Sequence, residues 1–185
     1  MPTRLDRRGR HPAGSARPVL RLVEQPPEPV RLDPETLLWL AQLYGTSCVY
    51  PWSERGVADP VERATRLVEL SVDFEVWAIH WPPASQLQLH DHGGASGALW
   101  VVSGSLTETV QAATTRFPTS RSLTEGTGIG FGPEHIHEVL NPGSAVTTSV
   151  HVYSPPMAHM TFFQPGESGV VPERTDVRKN PAWAP

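Results

Sequence analysis

The chain has 185 residues, 38% hydrophobic, with 20 prolines and 15 glycines; that is enough for one domain with a real core, and the balance favours short strands and turns over long helices. A formal net charge of -4, with no basic stripe interleaved with aromatics, argues against a nucleic-acid partner, which requires cations to displace phosphate counterions. Cys48 is the single cysteine, so no intrachain disulfide forms, and no apolar run has signal-peptide or membrane-spanning length.

A monomeric cytoplasmic protein acting on a small molecule, without nucleic acid or membrane as partner, is therefore the expectation. Residues 1–30, rich in Arg and Pro without apolar periodicity, read as a loosely attached arm. In "DPETLLWLAQLYG", Asp33 is the N-cap and Pro34 the first helical residue; Leu37, Leu40, Ala41 and Tyr44 form one stripe, and Gly45 is the expected terminator. "DPVERATRLVEL" carries two patterns, a capping box from Asp59 to Glu62 and an alternation through Arg63, Thr65 and Leu67, so a helical turn leading into a strand fits it.

From Phe74 onward the segments "FEVWAIHW", "QLQLH", "ALWVVSGSLTETV", "GTGIGFG", "HEVLN" and "TTSVHVYS" are short, β-branched or aromatic, and separated by Pro, Gly, Ser or Asn. The predicted fold is all-β, a small antiparallel barrel of about six to eight strands with one or two N-terminal helices. Its domain spans 31–165, and 166–185, rich in Pro and charge, read as an extended tail.

"HDHGGASG" places His90 and His92 on the same side of an extended chain, with Asp91 turned to the other. An HxH pair alone is a weak signal, because surface and core histidines are common. In "SVHVYSPP", Ser149, His151 and Tyr153 alternate onto one strand face.

These stretches carry a resemblance. "HDHGGASGALWVVSG" is similar to the first cupin motif through His90, His92 and Gly104, and departs from it at the acidic position, which is Gly97. "PEHIHEVLN" resembles the second motif, with His137 and Asn141 in place and Pro133 one residue nearer the histidine than usual. Together with Ser-x-His-x-Tyr-Ser-Pro-Pro, the pattern over roughly residues 60 to 156 resembles the thiol dioxygenase family of cupins, the type I cysteine dioxygenases above all.

The resemblance implies that His90, His92 and His137 bind Fe(II), that Ser149 orients His151 and His151 holds Tyr153, and that Arg66 pairs with the substrate carboxylate through its planar fork. It further implies a cis Ser154-Pro155 peptide and no cysteine-tyrosine crosslink, the cysteine position being Gly97. The implied reaction converts L-cysteine to cysteine sulfinic acid, with both atoms of O2 ending on sulfur. Ala64 stands where the family usually has a tyrosine two residues before the arginine, which leaves 3-mercaptopropionate or another small thiol open.

Plainer readings stand beside these. His135 alternates with His137 and is the substitute ligand; His80 and His159 read as packing or surface residues. Arg66 has Glu62 and Glu69 as neighbours for a surface ion pair of small value. Trp77, Trp81 and Trp100 read as core or pocket wall. A non-catalytic cupin that binds a small molecule needs only the barrel and the histidines, and zinc satisfies three imidazoles as well as iron does.

Overall fold

The computed structural model describes residues 29–47, 62–114 and 117–178. The N-terminal arm up to residue 28, Cys48 and the capping-box residues Asp59 and Pro60 lie outside them. Helix α1 (Pro34–Ser47) starts as its sequence predicts: the Asp33 carboxylate accepts hydrogen bonds from the backbone N–H of Glu35 and Thr36, both at 3.0 Å. It continues two residues past Gly45 instead of ending there. A Cβ on Gly45 would lie 2.7 Å from Trp100 Cδ1, so this glycine permits close helix-sheet approach and does not terminate the helix.

Eleven strands follow among the described residues: β1 (Ala64–Leu70), β2 (Glu75–Trp81), β3 (Gln86–His90), β4 (Ser96–Ser103), β5 (Ser105–Val110), β6 (Thr119–Thr124), β7 (Gly128–Phe131), β8 (His137–Leu140), β9 (Thr147–Ser154), β10 (His159–Pro165) and β11 (Val170–Val177). They form two antiparallel sheets, one ordered β1-β2-β9-β4-β7 and the other β11-β10-β3-β8-β5-β6. The all-β prediction holds, as two facing sheets of jelly-roll type in place of one closed barrel. Gly104, with φ 83°, makes the break between β4 and β5. The C-terminal segment read as a tail contains β11, which extends the second sheet by pairing with β10. Its polar, charged composition suits an exposed edge strand, so apolar alternation did not announce it.

The central strands of the first sheet, β2, β9 and β4, are buried on both faces. Val76, Ala98, Val150 and Val152 pack with Leu37 and Ala41 of α1 on the outside. Ile79, Leu99, Val101 and Tyr153 point inward to meet Leu106, Leu123 and Val139 of the second sheet. Strand β9 is buried at all eight positions, as alternation between two covered faces requires. Its inward set includes Ser149, His151 and Tyr153.

Candidate metal centre

Residue pairing brings the ligands together. His90 ends β3 and lies directly across from His137, the first residue of β8; His92 follows just beyond β3. The ring centroids are 5.0 Å apart for His90 and His92, 4.7 Å for His90 and His137, and 5.0 Å for His92 and His137. One nitrogen of each ring falls within 4.8 Å of the others, and all three residues are buried. Asp91 is turned away, its carboxylate accepting hydrogen bonds from the backbone N–H of Gly93 at 3.1 Å and of Thr161 at 2.9 Å.

The nitrogens left over identify what the site is for. The Nδ1–H of His90 donates to the Gln88 carbonyl at 2.7 Å. That of His137 donates to Glu108 Oε1 at 2.8 Å. His137 Nε2 and both nitrogens of His92 are buried without a hydrogen-bond partner. Buried polar atoms are ordinarily paired, and three converging imidazoles, two of them with buried unpartnered nitrogens, fit a divalent ion of borderline softness. Burial, with mutual repulsion among the rings, pushes His90 and His92 well below the ordinary histidine value, so both are neutral and able to ligate.

Gly97 supplies no fourth donor, and its surroundings leave room for none. A Cβ there would lie 2.5 Å from the Phe131 ring and 2.9 Å from Tyr153 Cδ1. Phe131 itself packs against His92 with centroids 4.8 Å apart.

Opposite the histidines, the first sheet presents a continuous hydrogen-bonded chain. Trp81 Nε1–H donates to Ser149 Oγ at 2.8 Å, Ser149 meets His151 Nε2 at 3.0 Å, and His151 Nδ1 meets the Tyr153 hydroxyl at 3.0 Å. Trp81 can only donate, so Ser149 accepts there; with the Ser149 proton on His151 Nε2, the Nδ1–H of a neutral His151 donates to the Tyr153 oxygen and the phenolic proton is free to act on a ligand. Burial drives His151 down to about 3, keeping it neutral. Burial, helped by Glu75, pushes the Tyr153 phenol up, so it is a donor and not an anion. Its ring lies 5.2 Å from that of His92.

The arginine expected at the carboxylate site is placed elsewhere. Arg66 pairs with Ala78, which pairs with Val150; residues directly opposite share a face, and this is the face covered by α1. Arg66 is therefore on the other side of the sheet from Tyr153, which corrects the expectation drawn from the resemblance. Thr65 pairs with Ile79 and Ile79 with Ser149, so by alternation Arg63 belongs to the inward side. Its guanidinium carbon lies 5.5 Å from the Trp81 ring centroid. It is close enough to contribute to the lowering of His90 and His151 and to oppose the rise of Tyr153. The signal was in the sequence: Arg66 alternates with Ala64 and Val68, the apolar set.

Three further residues were missed. Trp81 belongs to the relay and is not only wall. Glu75, buried opposite Tyr153, takes an ion pair from Arg178, whose guanidinium lies 5.2 Å from the Trp77 ring centroid. Glu108 accepts hydrogen bonds from His135 Nε2 and His137 Nδ1, each at 2.8 Å, and from Arg121 Nε. Burial works to raise its carboxyl, but these three donors hold it well below the usual carboxylate range. His135 is thereby a neighbour of the centre and lies outside its histidine trio.

A two-sheet β fold holding three neutral imidazoles toward a single point defines a metal-binding cupin. Residues 31–165 match the family described as cysteine dioxygenase type I, and the chain belongs to that family, the metal-dependent thiol dioxygenase type of cupin. Solved structures of similar fold include a double-stranded β-helix protein from Klebsiella pneumoniae, 19% identical over 69% of this chain and 98% of that one, with a TM-score of 0.48. A Thermus thermophilus protein is 16% identical over 57% of this chain and 96% of its own, with a TM-score of 0.47. The Cnp3 cupin domain of Schizosaccharomyces pombe is 10% identical over 58% and 68%, with a TM-score of 0.47.

Proposed function

We propose that the protein is an iron(II) dioxygenase that converts L-cysteine to cysteine sulfinic acid. The observation that carries this reading is the Trp81-Ser149-His151-Tyr153 chain aimed from one sheet toward the three histidines of the other, since a cupin that only binds needs no such relay. Iron held by His90, His92 and His137 would supply the activation of O2 that side chains lack. The balance is one thiolate and one O2 giving one sulfinate: sulfur loses four electrons, and O2 gains them as both its atoms bond to sulfur.

The side chains bind and orient. Arg63 offers two parallel N–H donors to the substrate carboxylate, a geometry that lysine does not match. Tyr153 donates its phenolic proton to the carboxylate or to the reacting oxygen without ionising. Phe131 and the packed interior exclude water, which strengthens these hydrogen bonds.

Oxygen uptake by iron-loaded protein, with product masses recorded, tests the reading on L-cysteine, 3-mercaptopropionate and cysteamine. Uptake with cysteine and a product gaining two oxygen atoms is expected, with cysteamine poor because it lacks the carboxylate. Uptake with 3-mercaptopropionate in preference to cysteine reassigns the substrate, and no uptake with any of the three refutes the dioxygenase reading.

A further inference from the structure

Glu108 is a carboxylate where carboxylates are costly. It lies on β5, its neighbour across the ladder is Val139, and its side chain is fully buried. Removing such a charge from water costs several kcal/mol in general unless donors surround it. Here both oxygens are occupied, Oε1 by His135 and His137 and Oε2 by Arg121. A carboxylate so held is ionised and accepts only. His137 must therefore carry its proton on Nδ1, which leaves Nε2, buried and without a partner, as the ring's lone pair.

The three histidines differ in what stands behind them. His137 is backed by a carboxylate and His90 by the neutral Gln88 carbonyl; neither nitrogen of His92 has a hydrogen-bond partner. Meanwhile the motif position that would place an acid on the metal is Gly97, where Phe131 and Tyr153 occupy the space of a side chain. Among the described residues, negative charge is thus absent from the histidine trio itself and present one imidazole away.

We propose that Glu108 is a positioning residue of the metal centre: it fixes His137 in the orientation that presents Nε2 to the ion, and through that ring it supplies the negative charge that no ligand atom supplies directly. His135 shares Oε1 with His137, while Arg121 reaches the other oxygen from the half-exposed side of the cluster and does not touch His137. This rests on the three histidines binding a metal and is independent of which thiol is oxidised.

The test uses Co(II) as probe on the full-length, metal-free protein without substrate. Dissociation constants are measured by chelator competition and the Co(II) visible spectrum is recorded, with circular dichroism confirming the fold of each variant. Glu108→Ala should weaken Co(II) binding by about 10–100-fold and shift the spectrum, as loss of a histidine's carboxylate partner does elsewhere. Glu108→Gln, which keeps an acceptor and loses the charge, should fall between it and the wild type, again with a shifted spectrum.

Arg121→Gln removes the half-exposed end of the cluster and should stay within about fivefold of wild type, its spectrum unchanged. Wild-type affinity and spectrum in Glu108→Gln overturn the proposal, and that variant decides alone if Glu108→Ala does not fold. A loss in Arg121→Gln as large as in Glu108→Ala also overturns it, because the cluster would then act as bulk charge and not through His137. A wild-type protein that fails to bind Co(II) refutes the metal centre itself, a separate result.

Discussion

The two sheets build opposite halves of one site by different means. The second sheet contributes the histidines that could hold a metal, and their anchoring hydrogen bonds end on strong acceptors, the Gln88 carbonyl and the Glu108 carboxylate. The first sheet contributes a hydrogen-bonded chain of neutral groups, Trp81, Ser149, His151 and Tyr153. A cation needs lone pairs held still, and charge behind them helps. A proton donor to an anionic ligand needs to stay protonated, and burial among neutral partners secures that.

Substitutions that treat the two halves separately sharpen this comparison. The largest effect belongs to the ligand half: His92→Ala removes two unpaired nitrogens and no hydrogen bond, so the protein should fold yet retain no stoichiometric metal after desalting and show background turnover, as read by metal analysis and oxygen uptake. In the relay half, Tyr153→Phe should keep its metal while kcat falls by about 10²–10⁴-fold, the usual contribution of a positioned proton donor. Equal loss of metal in both variants would mean that the halves are not separable.

Next comes the arginine pair, which tests the two faces of the first sheet. Arg63→Ala should lower kcat/KM for a carboxylate-bearing thiol by about 10–150-fold, the range for a hydrogen bond to a charged group, with Arg63→Lys intermediate. Arg66→Ala should leave steady-state kinetics unchanged, since its register places it on the outward face of the first sheet. The reverse outcome would break the face assignment.

The effect that is smallest at neutral pH is on stability. His151 has its proton affinity reduced by burial, to about 3 in the folded protein against an ordinary 6.5. The unfolded chain therefore binds a proton that the folded one refuses. Its contribution to the stability of the metal-free protein is complete above about pH 6.5 and is drawn down as pH falls toward 3, by up to about 1.4 kcal/mol per pH unit for each such proton. Denaturant melts of His151→Gln across that window should show a shallower decline than wild type; an identical slope would mean that His151 is charged in the folded protein.

Much of the fold was legible because its strands are short and self-announcing. Thr147–Ser154 and Gln86–His90 are strands at the bounds their patterns implied, since a β-branched run in the first and strict polar-apolar alternation in the second favour extended chain. Three strands were not foreseen, β6, β10 and β11: β6 and β11 are polar and exposed, and β10 is half-buried around a buried Phe162. They are strands because a neighbour offers an edge, which local composition does not encode. Asn141 shows the same division: its motif spacing was visible, while its role, donating to the carbonyls of Trp81, Pro82 and Ala145, depends on chain distant in sequence.

The sequence by itself determined the ligand types and their local spacing, because period-two alternation fixes which neighbours share a face whatever the rest of the chain does. His90 beside His92, and Ser149, His151 and Tyr153 in a row, follow from that alone. Only the tertiary structure decided that Glu108 stands behind His137 and that Trp81 heads the relay. Each of those contacts joins residues from different strands, and their pairing is set by ladder register and sheet closure, quantities that belong to the whole chain.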